Sequence, residues 1–263
     1  AKKTIEWAKT QQWRVMSCDK RDSVRNAPPP FTTATVQQAA SVRLGFNPDV
    51  TMKLLQSLFE DGKITYHRTD STALTPEAVS DARALISKEF PPDYLPHTPI
   101  VHATKAANAQ EAHEAIRPTH PESGADALGS ADTGKLYRLI WQRFIACQMS
   151  PCRDSISTLD VACAPDAWKT PAGKLTPMGV FQAKGKIPLF NGWRKLAGED
   201  ATEEVKLKGK GKKGDAEQAE DEESEDVLPI LKAGDALDLI GLDALKRATK
   251  PPPRYTQASL IKR

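Results

Sequence analysis

Ser155-Ile156-Ser157-Thr158-Leu159-Asp160-Val161-Ala162 alternates polar and apolar residues with period two, the spacing of a strand with one covered face. Gly179-Val180-Phe181-Gln182-Ala183-Lys184-Gly185-Lys186 and Ala236-Leu237-Asp238-Leu239-Ile240 read the same way, and so does Trp13-Arg14-Val15-Met16-Ser17-Cys18 near the start. A charged loop and the rigid Pro28-Pro29-Pro30 follow that first strand. Between the two strand regions helical spacing dominates, interrupted by a short extended segment at Ile64–Arg68 and a loop rich in Pro and His. The expected fold class is therefore mixed α and β, a mainly helical domain inserted into a β-rich one. Residues 1–27 and 153–250 would share the β-rich domain and 28–152 would form the helical domain.

Within the helical region, Thr33 or Thr35 can cap a helix through Leu44 that Gly45 closes. A second helix is expected over Asp49–Glu60, with Met52, Leu55 and Leu58 on one face and Gly62 beyond its end. The intervening turn, Gly45-Phe46-Asn47-Pro48, makes the pair helix-turn-helix-like. Thr75-Pro76-Glu77 opens a helix that ends near Phe90, before Pro91-Pro92. A long helix from about Asp132 to Gln148 carries Leu136, Leu139, Ile140 and Phe144 on one side.

The 263 residues suffice for one large or two smaller domains with real cores. No apolar run approaches the ~20 residues of a membrane-spanning helix, and the start lacks the apolar stretch of a secretory signal. Four scattered cysteines do not make a disulfide scaffold, and Cys147, Cys152 and Cys163 lack zinc-site spacing; reduced structural thiols in a cytoplasmic protein are expected. His97, His102 and His120 have no partner at helical spacing and read as surface histidines. The absence of an initiator Met suggests an excised piece of a longer chain.

The net charge of +3 hides an asymmetry. Residues 199–226 contain 12 acidic residues and 5 lysines, which leaves +10 on the other 235. That basic remainder suits a polyanion, and the nearly apolar-free 199–226 reads as a disordered insertion between strands. Neither GxxxxGK[ST] nor GxGxxG occurs, so no ATP or dinucleotide site is indicated.

Two segments can carry chemistry. In Gly62-Lys63-Ile64-Thr65-Tyr66-His67-Arg68-Thr69-Asp70-Ser71, an extended backbone puts Tyr66 and Arg68 on the same side. A phenol then stands beside a permanent, forked cation suited to phosphate, which can stabilise the negative charge that builds up when the phenol attacks phosphorus. In Gln110-Glu111-Ala112-His113-Glu114-Ala115-Ile116-Arg117-Pro118, a helical turn would put His113 and Arg117 on one face, able to hold a phosphate or deliver a proton.

Taken together these segments resemble the type IA DNA topoisomerases of bacteria. Further agreement lies at Pro30-Phe31-Thr32-Thr33 with Gln37-Gln38-Ala39-Ala40, at Leu136-Tyr137-Arg138-Leu139-Ile140-Trp141, at Ala146–Pro151 and at Lys250–Tyr255. The resemblance implies Tyr66 as nucleophile, Arg68 and His113 as catalytic partners, and Thr65, Asp70 and Arg117 as DNA contacts. It implies single-stranded and negatively supercoiled DNA as substrate, a monomer associated with the chromosome, no membrane, and no ATP. Mg²⁺ is the implied cofactor, its ligands supplied by an acidic domain N-terminal to this region, with no metal ligand in this chain. The implied architecture is part of a torus, the strands forming an arch that lets the tyrosine-bearing domain lift, with 251–263 starting the DNA-guiding domain that follows. His67 departs from the family, where Met is common at that position. Two other readings remain: a nucleic-acid-binding module without catalysis, and a metal-dependent phosphodiesterase using the histidines.

Overall fold

A computed structural model describes residues 2–102, 114–164, 168–169, 175–176, 179–197, 228–245, 248 and 254–260. The expected insertion at 199–226 lies outside them. The described residues of Ala1–Val24, Arg153–Phe190 and Asp215–Pro252 form one compact unit, and those of Arg25–Cys152, Asn191–Gly214 and Pro253–Arg263 form a second.

The first unit begins with a helix the sequence did not announce, α1 (Lys2–Lys9), followed by the strand β1 (Trp13–Arg25). The strand runs well past the expected Cys18 and absorbs the charged run Asp19-Lys20-Arg21-Asp22. Pairing with a neighbour supplies the backbone hydrogen bonds whatever the side chains are, so the expected loop does not form. That neighbour is β2 (Cys152–Cys163). The Ala164 N–H donates to the Gln12 carbonyl and Ser17 Oγ donates to Asp160, so the two strands run antiparallel.

A short antiparallel pair, β3 (Trp168–Lys169) and β4 (Leu175–Thr176), precedes β5 (Gly179–Phe190). Strand β5 pairs with β2 along its whole length, from Arg153 opposite Phe190 to Cys163 opposite Gly179, with one register shift at Arg153/Asp154. The chain then returns to the second unit with a helical turn, α6 (Arg194–Ala197). The expected strand at 236–240 shrinks to β6 (Ala236–Leu237), antiparallel to β1, giving a four-stranded sheet of order β5-β2-β1-β6. Its small apolar cluster gathers Ala8, Trp13 and Cys163, with Trp13 4.9 Å from the Phe181 ring.

The second unit is helical. Helix α2 (Thr33–Leu44) is capped one residue earlier than expected, at Thr32, in a reciprocal box with Thr35, and Gly45 closes it at φ 70°. Asn47 caps α3 (Pro48–Glu60) and Thr75 caps α4 (Pro76–Glu89), each with Pro in its first turn. The last long helix, α5 (Asp132–Ala146), is the centre of the core. Its Leu136, Ile140, Phe144 and Ile145 meet Val36, Ala39 and Ala40 of α2, Leu55 and Leu58 of α3 and Ala82 and Ile86 of α4. Each large side chain buried there contributes about 1.5–3 kcal/mol. Trp193, fully buried, joins the same core, and its indole N–H donates to the Arg25 carbonyl.

No disulfide joins any of the four cysteines; Cys147, Cys152 and Cys163 are buried, and only Cys18 is partly accessible. Burial pushes the Cys147 thiol up to about 12. His102 is not the surface residue expected. It is half-buried, its Nε2 3.2 Å from the Cys147 carbonyl oxygen, and burial pulls its pKa below the ordinary histidine range. No described helix is long and apolar enough to cross a membrane.

Candidate active site

Ile64–Ser71 is a bent loop and not the expected short strand: Ile64 makes a single bridge, to Pro118, and the chain then turns. Alternation survives in the side chains all the same. Tyr66, Arg68 and Asp70 are exposed while His67, Thr69 and Ser71 are buried. The phenol and the guanidinium thus share the solvent side.

Thr65 begins this loop and is tied to the second segment by three hydrogen bonds. Its N–H donates to the Arg117 carbonyl (2.9 Å), its Oγ1 donates to the Ala115 carbonyl (2.7 Å), and the Arg117 N–H donates back to Oγ1 (3.0 Å). The second segment is extended here, not helical. Pro118 disfavours helical dihedrals at Arg117, and Ile116 bridges to Phe31 while Pro118 bridges to Ile64. Three stretches far apart in sequence are therefore knitted side by side, with Phe31, Ile64 and Ile116 all buried. Arg143 lies under them, its guanidinium 4.2 Å from the Phe31 ring centroid. Burial, with Arg43 adding to it, lowers the Arg143 pKa to about 9, so it is still a cation at neutral pH.

The expected helical turn is absent over residues 114–117, and His113 lies outside the described residues. The expected DNA contact Arg117 instead forms a two-pronged pair with Glu114, Nε to Oε1 at 2.6 Å and Nη2 to Oε2 at 3.1 Å, and its Nη1 donates to the Pro118 carbonyl. Glu114 also accepts from the N–H of Thr75, the cap of α4. Sequence reading missed Glu114, whose only local signal is an acid three residues before an arginine.

On the other side of the loop, His67 is buried between rings, 5.7 Å from Phe59 and 5.5 Å from Tyr66 by centroid. Neither imidazole nitrogen has a hydrogen-bond partner. Burial pulls its pKa below the ordinary range and the Arg68 charge adds to that, while Glu60 opposes them. Phe59 meets Tyr66 edge-on at 5.4 Å, so an aromatic contact braces the phenol ring. Among the described residues no group of three His, Cys, Asp or Glu stands together to hold a metal.

The whole of this chain, residues 1–263, matches the profile of the DNA topoisomerase family. The chain belongs to the bacterial type IA DNA topoisomerases. Among topoisomerases similar to it, DNA topoisomerase 1 of Vibrio cholerae is 42% identical over 249 residues, covering 93% of this chain and 24% of that protein. The Escherichia coli DNA topoisomerase 1 is 39% identical over 253 residues, 95% of this chain and 25% of its own length. A structure of full-length topoisomerase I from Thermotoga maritima superposes with a TM-score of 0.70 at 28% identity, over all of this chain and 39% of that one. This topoisomerase chain spans about a quarter of the length of the curated relatives.

Proposed function

We propose that this chain carries the nucleophile of a type IA topoisomerase, Tyr66, with Arg68 beside it. The observation that carries the reading is the joint exposure of Tyr66 and Arg68 on a loop whose intervening residue, His67, is buried. Tyr66 Oη attacks the phosphorus of one strand of DNA as it loses its proton. The bond from phosphorus to the 3′ oxygen breaks, and that oxygen leaves as a hydroxyl. The 5′ phosphate at the break stays on the protein as a phosphotyrosyl ester, carrying the 3′-terminal fragment with it. Attack by the 3′ hydroxyl reverses the step after another strand has passed, which relaxes negative supercoils. One phosphoester replaces another, so ATP is not consumed. Arg68 stabilises charge on the phosphoryl oxygens. His113 assists cleavage or religation, and Thr65 and Asp70 help to hold the DNA. Arg117, held by its pair with Glu114 and its backbone bonds to Thr65, is a further DNA contact.

As the family resemblance implies, Mg²⁺ would take its ligands from an acidic domain N-terminal to this region. Isolated residues 1–263 are therefore proposed to be inactive in cleavage. Residues 28–152 would be the tyrosine-bearing domain, and the strands of 1–27 and 153–250 the arch of a torus that lets it lift. The protein acts as a cytoplasmic monomer on the chromosome.

The test uses 5′-labelled and 3′-labelled single-stranded DNA with Mg²⁺ and the chain joined to its family's flanking domains. A protein-linked band carrying only the 3′-terminal portion of the DNA, absent from Tyr66→Phe, is expected. Intact DNA in both lanes, from folded protein that still binds, would leave a binding module without catalysis. Hydrolysed DNA with no attached protein would point to a phosphodiesterase.

A further inference from the structure

The loop that presents Tyr66 and Arg68 has no regular strand partner beyond Ile64, so something else must set its shape. The backbone groups on either side of Arg68 converge on one side chain. Thr33 Oγ1 donates to the His67 carbonyl at 2.7 Å, with the Thr69 carbonyl at 3.1 Å as a longer branch of the same proton. The Thr69 N–H donates to Thr33 Oγ1 at 2.8 Å, and the Thr33 N–H donates to the Thr69 carbonyl at 2.9 Å. We infer that Thr33 is the positioning residue of the nucleophile loop, its hydroxyl setting the presentation of Tyr66 and Arg68. This rests on the reading of Tyr66 as nucleophile.

The anchor is stiff. Thr33 is the first residue of α2, and its N–H is one of the donors a helix leaves without an internal partner, so bonding the loop satisfies both elements. Val36, Ala39 and Ala40 lock the same helix into the core with no exposed surface, and Phe31, two residues upstream, bridges to Ile116 of the second segment. Holding the carbonyl of residue 67 and both backbone groups of residue 69 fixes the peptide planes that flank Arg68. His67 and Thr69 then point inward, and Tyr66 and Arg68 outward. Thr33 thus acts through the loop backbone and touches no substrate.

The test compares Thr33→Val, which keeps the branched shape and loses the hydroxyl, with Thr33→Ser, which keeps the hydroxyl. Both are made in the chain joined to the flanking domains. Single-turnover adduct formation at saturating DNA should fall about 10- to 100-fold in the Val variant and stay within about threefold in the Ser variant, since ångström-scale misplacement costs that order of rate. DNA affinity should change little in either.

Equal rates in all three proteins, or a Ser variant as slow as the Val variant, would overturn the assignment. A second measurement needs neither activity nor a variant: amide hydrogen exchange in the unmodified chain. Slow exchange at Thr69 is expected, and exchange at the rate of an open loop amide would refute the anchor. If the unmodified joined protein forms no adduct, the nucleophile reading fails, and Thr69 exchange still decides whether Thr33 holds the loop.

Discussion

At Tyr66 and Arg68 the alternation of side chains was legible, although the loop bends where an extended segment was expected. Arg68→Ala in the joined protein should lower the cleavage rate about 10²- to 10³-fold, the scale of removing one fixed donor from a developing oxyanion; single-turnover kinetics would read it. The paired Arg117 was not legible. Pro118 and two bridges to distant residues decide its backbone, and a helical spacing count sees neither bridge. Glu114→Gln weakens a charge-assisted, partly buried fork and should cost about 1.5–3 kcal/mol in denaturant unfolding. His67 carries a pH prediction. Its folded pKa is lowered by burial, so the unfolded chain binds more protons and stability declines as pH falls below about 6.5 toward the folded value. His67→Met should flatten that acid limb in melting experiments across pH 5 to 7.5. A slope that remains belongs in part to His102, whose pKa is lowered in the same direction.

Helices α2, α3, α4 and α5 were readable because caps, prolines and apolar spacing are local signals; the errors were of one or two residues at their ends. Strand β1 was half missed, because its partner β2 lies more than a hundred residues away and nothing near Asp19-Lys20-Arg21-Asp22 reports the pairing. Helix α1 carried no cap signal and went unanticipated. Local signals also yield stability predictions. Asn47 Oδ1 accepts from the Val50 N–H at 2.8 Å, so Asn47→Ala should destabilise by about 1 kcal/mol in a thermal melt. Gly134 sits in the first turn of α5, where a Cβ would come 2.7 Å from the Leu128 carbonyl oxygen and collide with the Gly129 carbonyl. Gly134→Ala should therefore cost about 1–3 kcal/mol or more by overpacking against backbone that cannot step aside.

Over the whole molecule, a mixed fold of helices between strand regions was legible from a change of period alone, and family membership agrees with the motifs that carry the site. How the units are arranged was not legible, since two periodicities say nothing of geometry between domains. The isolated chain should bind single-stranded DNA weakly, with affinity that drops steeply between 50 and 200 mM salt as about one counterion is released per phosphate contact. Fluorescence anisotropy would check this, and salt-independent binding would argue against a backbone-tracking surface. The unequal accessibility of the four thiols has a practical side. A bulky maleimide offered to the native protein should attach at Cys18 and leave the other three untouched until denaturant is added, so mass spectrometry would find one adduct before unfolding and four after it. A dye on that single handle would sit on the first long strand, where it can follow motion of the strand-rich unit without altering any residue of the tyrosine loop.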